Sequence, residues 1–504
     1  MRTTATTVLS SGNSATDAGG EALLARLRST TELLASIAAD RRVLAGVPVE
    51  DRRRFLEAVS LVYSPDRAER RRQAKIAARE RKAARVKQDE GVLAESGIRA
   101  LRRPVVHTPN VFPPERFEPR DLPGVDDEPE RKAAPREASE LQPCYVCKRK
   151  YSAIHHFYDQ LCPPCAELNL AKRMEMADLR GRVALVTGGR VKIGYQAGLK
   201  LLRCGAELIV TTRFPRDSAA RYAREADFGE WAHRLEIFGL DLRHTPSVEA
   251  FCRELLSTRS RLDFIINNAC QTVRRPPAFY AHMLAGETAP APGDMPERVR
   301  MLPVHAATLS QVPLLAEELA TGRDNLFPEG QLDQDLQQVD LRGRNSWRLL
   351  LAEVSTVEVL EVQLVNAIAP FVINARLKPL MRRTPERDKH IVNVSAVEGQ
   401  FYRSFKTIRH PHTNMAKAAL NMMTRTAAAD YHGDGIHMNS VDTGWVTDED
   451  PVEIAARKSA EQRFHPPLDS LDGAARIVDP ILTGVNTGHH VWGQFLKDYR
   501  PTDW

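Results

Sequence analysis

The chain has 504 residues, 42% hydrophobic and 27% charged, with a net charge of +6. Its length exceeds one ordinary core and predicts two or three domains. No apolar run of membrane length stands out and residues 1–20 carry no apolar h-region, so membrane and secreted classes are excluded from the expectation. A cytoplasmic protein is expected, with an organelle presequence as the alternative because the Ser/Thr-rich start is poor in acids.

Residues 1–20 are polar and predict a disordered tail. From Glu21 to Arg42, Leu23, Leu24, Leu27, Leu33, Leu34 and Ile37 recur at helical spacing. A second helix is expected after Pro48, carrying Phe55, Leu56, Val59 and Val62. A third opens on Ser64 as N-cap and Pro65 as first helical residue. Residues 67–87 hold ten Lys/Arg against two Glu, with alanine as the main apolar residue. Such a helix buries little; it either meets an acidic partner, nucleic acid or protein, through charge, or is simply solvated. No aromatic residue interleaves with the charges to stack on bases. This helical basic region is expected over 21–102, and the Pro-, Glu- and Arg-rich residues 103–140 predict a linker.

The stretch "CYVCKRKYSAIHHFYDQLCPPC" pairs Cys144 and Cys147 with Cys162 and Cys165, fourteen residues apart. Two C-x-x-C knuckles present four thiolates to one ion, the donor set of a closed, structural zinc site. A small zinc-binding module over 141–176 follows, with the metal supplying its folding energy. His155 and His156 fall inside the loop and read as loop residues rather than ligands. Paired cysteines of this kind also favour a reducing compartment.

From Arg180 onward the pattern changes. "RVALVTGG" is a buried strand ending in a glycine turn, "IGYQAGLKLLRCGA" a helix and "ELIVTTR" the next strand. This βαβ unit suits a dinucleotide. "RLEIFGLDL", "LDFIINNA", "HIVNVSA" and "GIHMNSVDTGW" predict further buried strands between helices. Residues 177–504 therefore predict an α/β Rossmann domain built on a doubly wound parallel sheet.

Taken in order, "TGGRVKIG", "LDL" around Asp241, "NNAC", "LVNAIAP", "IVNVSA", Lys417 and "NSVDTGW" resemble the motifs of the short-chain dehydrogenase/reductases. The resemblance covers residues 180–270 and 355–504. It implies a cofactor site built from Thr187, Gly188, Ile193 and Gly194, with Asp241 and Leu242 at the adenine and Asn267 and Ala269 along the cofactor path. Lys192 stands where the family has a second glycine, and family members with a basic residue in this turn usually take NADP(H). Arg213 follows the second strand where an acidic residue would bind a ribose 2′-hydroxyl; an arginine there can pair with a 2′-phosphate, and Arg190 is a further candidate. NADP(H) is accordingly expected over NAD(H).

The family's catalytic set is Asn, Ser, Tyr and Lys. Asn366 and Lys417 match, Lys417 also as a ribose clamp, but Ala396 occupies the serine place and Thr413 the tyrosine place. Ser395 is one residue early, and a one-residue shift in a strand turns a side chain to the other face. Thr443-Gly444 replaces the family's Pro-Gly. A threonine hydroxyl is too weak an acid to replace tyrosine. The loop "FYRSFKTIRHPH" offers Tyr402, His410 or His412 as proton donors.

Two functions remain open at this point. One is reduction of a small carbonyl or imine by hydride transfer with a non-standard proton donor. The other is a non-catalytic NADP(H)-binding regulator or scaffold that engages a partner through the zinc module and basic helix. An insertion over about 271–350 is expected to cover the crevice, residues 448–470 occupy the substrate-lid position, and a homo-oligomer is the family habit.

Overall fold

A computed structural model describes the chain from Ser14 to Trp504, apart from residues 64–66, 102–105, 108–135, 289–297, 303, 316–317, 319–325, 329, 334–336, 403–405 and 463–464. Residues 1–87 and 88–504 form two units. In the first, helices span Ser14–Ala39 and Val49–Tyr63, and the division falls within a third, Arg67–Ala94. The first helix begins at Ser14, which shortens the expected tail over 1–20; the expected cap at Ser64 and Pro65 lies outside the described residues. Leu23, Leu24, Leu27 and Leu33 stay exposed, so the leucine periodicity marks a helix without burying its stripe.

In the second unit, β2 (Arg136–Pro143) and β3 (Lys150–Ile154) form an antiparallel hairpin, followed by a helix over Pro163–Met174. The linker expected over 103–140 is thus shorter than its sequence suggests. Its last residues enter β2, and β1 (Val106–His107) pairs with β9 (Gln331–Leu332) of the insertion.

All six strands expected in the Rossmann region form: β4 (Val183–Thr187), β5 (Glu207–Thr212), β6 (Leu235–Gly239), β7 (Phe264–Asn267), β10 (Lys389–Ser395) and β11 (Ile436–Asp442). Their apolar runs are buried nearly throughout, as a parallel sheet covered on both faces requires. β8 (Val299–Met301) adds one parallel edge, while β12 (Phe495–Lys497) and β13 (Arg500–Thr502) complete the other. The order is β13-β12-β11-β10-β7-β4-β5-β6-β8, parallel except for β13. One core lies under helices Lys192–Arg203 and Ser470–Thr487; another lies under Thr245–Thr258, Ala369–Met381 and Pro411–Gly433.

One sequence expectation needs correction here. Residues Thr356–Met381 are helical and apolar enough by composition to cross a membrane. In the fold Val365, Ala369, Ile373, Leu377 and Leu380 cover the sheet, so much of that apolarity is spent on the core. Chain order reverses at β4, whose neighbours are β5 on one side and β7 on the other. Ligands of open α/β sheets bind in the crevice beyond such a switch point.

Candidate active site

That crevice exists, with a volume of ≈ 950 Å³. Ten of the twelve expected cofactor residues line it: Gly188, Arg190, Lys192, Ile193, Gly194, Arg213, Asp241, Leu242, Ala269 and Lys417. Gly188 has φ +70, and a Cβ there would lie 2.9 Å from Ala269 Cα, so the turn after β4 admits no side chain. Lys192 keeps the same left-handed backbone, φ 55, that a glycine would adopt freely. Thr187 sits just beneath, its Oγ1 accepting the Ala269 N–H at 3.0 Å and tying β4 to the end of β7.

On the β5–β6 side three side chains have partners that sequence could not show. Arg213 donates to the Tyr280 hydroxyl at 2.7 Å, its guanidinium over the Tyr280 ring at 4.4 Å. Tyr280 belongs to the helix Pro277–Thr288 of the insertion. Arg190, though it lines the crevice, donates to Asp217 at 2.7 Å; Arg221 donates to the same oxygen at 2.9 Å. The Asp241 carboxylate, expected at the adenine, is occupied by Arg243 through contacts of 2.6–3.1 Å. Burial opposes its charge, but the Arg243 guanidinium holds its pKa below the ordinary value.

Asn267 does not line the path. Its Nδ2 donates to Asn374 and Asn393, both at 2.8 Å, and Asn393 donates on to Thr424 at 2.9 Å. A buried amide leaves so few alternatives that this network fixes how four elements meet: β7, β10 and the helices Ala369–Met381 and Pro411–Gly433. Its neighbour Asn268 lines the crevice instead and donates to the Thr187 and Gly188 carbonyls at 3.1 and 3.2 Å.

The other end holds the residues of the eroded catalytic set. Lys417 Nζ donates to the Val394 carbonyl at 2.8 Å. Asn366 lies in a π-helical turn, Leu364–Ile368; its side chain accepts from Gln271 N at 2.7 Å and donates to Gln271 O at 3.1 Å. It braces the chain after β7 from behind the crevice wall. Ser395 Oγ and Thr413 Oγ1 are buried without hydrogen-bond partners; Ser395 and Ala396 both line the crevice, Thr413 does not.

Neither leading proton-donor candidate reaches the crevice. Tyr402 is 90% exposed and outside its lining. His412 is buried beneath it, with Nε2 3.4 Å from Glu358, because the first turn of helix Pro411–Gly433 points it back toward the helix over Thr356–Gln363. His410 does line the crevice. Its backbone is left-handed (φ 42), its ring stacks on Trp347 at 3.9 Å, and burial pushes its pKa down to about 4.

The insertion and the segment after β11 both line the crevice, where the sequence expects a cover, though the particular side chains carry no signal in the sequence. Thr443 to Asp450 line the crevice beside Arg275, Gln337 and Gln338 of the insertion. The two segments interlock: Arg348 pairs with Asp450, and Asn345 Nδ2 donates to the Glu449 carbonyl at 2.8 Å. Tyr145 and Lys148 of the cysteine module line it as well. In that module the four sulfurs of Cys144, Cys147, Cys162 and Cys165 lie within 4.8 Å of one another, close to the spacing of about 3.8 Å that Zn–S bonds of about 2.3 Å dictate. They could hold a metal ion. His155 stays out of the cage: its Nδ1 accepts from the backbones of Phe157 and Tyr158 at 3.1 and 3.3 Å.

Residues 182–283 match the family model described as short chain dehydrogenase, and 346–468 the one described as enoyl-(acyl carrier protein) reductase. Over 374 residues the chain is 32% identical to an uncharacterised protein of Acanthamoeba polyphaga mimivirus, covering 71% of this chain and 75% of that one. It is 36% identical over 119 residues to dehydrogenase/reductase SDR family member 13 of Bos taurus, 23% of this chain but only 29% of the bovine protein. A Pseudomonas aeruginosa RhlG/NADP complex aligns with a TM-score of 0.41 at 18% identity, over 64% of this chain and 95% of that one. The Rossmann domain of the chain belongs to the short-chain dehydrogenase/reductase family of oxidoreductases.

Proposed function

We propose that this protein is an NADP(H)-dependent oxidoreductase that reduces a small carbonyl or imine. The observation that carries the reading is Arg213, a guanidinium lining the crevice at the end of β5 where NAD-binding members of this fold place a carboxylate. Arg213 and Lys192 would hold the 2′-phosphate, the bare turn at Gly188 the pyrophosphate, and Lys417 the ribose near the reacting end. When bound, the cofactor supplies the hydride.

The chain's own contribution to the substrate is different from the family's. With Tyr402 and His412 outside the crevice, His410 is the loop imidazole that can meet a carbonyl oxygen. Its pKa of about 4 keeps it neutral at pH 7, so it orients and polarises by hydrogen bonding. The proton comes from water or from the substrate itself. The four cysteines bind zinc in a structural site.

The test is a fluorescence titration with NADPH, followed by a carbonyl and imine panel with wild type and His410→Ala. Saturable NADPH binding, turnover, and loss of turnover in the variant with retained binding are expected. Failure of NADPH to bind would sink the reading, whereas binding without turnover would point to the regulator or scaffold.

A further inference from the structure

Tyr145 stands between two of the proposed metal ligands, Cys144 and Cys147, yet it lines the crevice. Its ring lies between Lys148 Nζ at 4.9 Å and Lys497 Nζ at 5.4 Å. Its hydroxyl accepts the Trp445 backbone N–H at 2.9 Å. Trp445 follows the turn Thr443-Gly444 by which the chain leaves β11. That turn is tight: Gly444 has φ +74, and a Cβ on it would lie 2.5 Å from Leu468 Cδ1 and 3.4 Å from the Tyr145 hydroxyl.

The same module holds the other end of the segment that begins at Trp445. Val446 and Leu468 are buried in one apolar cluster with Phe157, Tyr158, Leu161 and Ala166. Gln160 donates its side-chain amide to the His465 carbonyl at 2.9 Å, while its own carbonyl accepts from Tyr145 N at 2.8 Å. Leu468 N donates to Trp445 O at 3.3 Å and closes the base of the loop. Between these anchors Thr447, Asp448, Glu449, Asp450 and Lys458 line the crevice. Independent contacts fix the module to the sheet: Arg173 pairs with Asp469 at 2.7 Å and Asp472 at 3.0 Å, and Arg476 donates to Asn169 at 2.6 Å.

We infer that the cysteine module is the anchor of the substrate lid, whose described residues are 445–462 and 465–468, and that Tyr145 is the positioning residue joining metal cage to crevice. A metal in the cage holds the Tyr145–Cys147 turn rigid, the turn holds both feet of the lid, and the lid sets the shape of the substrate end. The inference rests on the zinc reading above for its metal dependence, but not for the role of Tyr145.

Hydrogen exchange on the full chain tests both, together with elemental analysis for zinc. Chelation is expected to speed exchange across 445–468 while β4 and β7 stay protected, and added zinc to restore it. Tyr145→Phe is expected to keep its zinc and its melting temperature, yet to exchange the Trp445 amide about tenfold faster, a rate that added zinc does not restore. Unchanged lid exchange in both chelated wild type and Tyr145→Phe would overturn the inference. A zinc-free wild type whose Tyr145→Phe variant still loosens the lid would remove the metal and leave the anchor standing.

Discussion

Lys417 Nζ donates a 2.8 Å hydrogen bond to the carbonyl of Val394, one residue before the end of β10. The bond holds the ammonium at the crevice wall although tyrosine and serine are gone from their places. Lys417→Met keeps most of the stem and removes the donor. Hydrogen bonds from charged donors contribute about 1.5–3 kcal/mol, so NADPH affinity should fall by about tenfold or more. An unchanged Kd in a fluorescence titration would take Lys417 out of the cofactor site.

Arg213 should decide which dinucleotide is preferred. Its Tyr280 contact aims the guanidinium without neutralising it. Arg213→Ala is expected to weaken NADPH binding by about tenfold to a hundredfold and NADH binding by far less, since only NADPH carries the 2′-phosphate. Equal losses for both cofactors would place the phosphate elsewhere.

Arg173, 2% exposed at its side chain, faces both Asp469 and Asp472. Arg173→Met leaves the buried Asp472 and the half-buried Asp469 without this cation, and breaking a buried pair costs about 3–5 kcal/mol. Urea unfolding should show that loss. A midpoint within error of wild type would mean that the carboxylates are hydrated.

Acidification should destabilise the fold. His390, His437 and His490 lie 4.8–5.2 Å apart, ring to ring, and burial lowers all three pKa values, with the neighbouring rings adding to it for His390. Asp388 opposes that lowering for His437 and His490, while Arg182 reinforces it for His490. His282 and His410 are pushed down to about 4. Below pH 6.5 the unfolded state takes up protons that the folded state refuses, so stability falls as pH falls. At pH 5.5 this is about 1.4 kcal/mol for each of His282 and His410. Glu287, raised to about 7 by burial, acts in the opposite sense over the same window. Asp442, Asp472 and Asp479, whose pKa values burial also raises, act in the sense of Glu287; the five histidines are expected to dominate, and the melting temperature should be lower at pH 5.5 than at 7.5. A higher value at pH 5.5 would contradict the balance.

The sheet was legible in the sequence because buried parallel strands are short continuous apolar runs, each punctuated by its own turn. Six such runs and their helices were readable without knowing what packs on them. The cysteine cage was legible for a similar reason: C-x-x-C spacing is local geometry. β8 was not legible, since "VRM" is too short to carry a pattern and forms only beside β6.

The sequence by itself determined the family, the glycine turn at Gly188, the approximate residues of the crevice and the loss of Ser and Tyr from their places. The tertiary structure alone decided where side chains with distant partners point. Arg190 went to Asp217, Asp241 to Arg243, Asn267 to Asn374, and His412 beneath the crevice rather than into it. It also brought Tyr145 to Trp445, 300 residues away in the chain. A buried charge or amide takes whichever partner the packed fold supplies, and that choice has no local signature in the sequence.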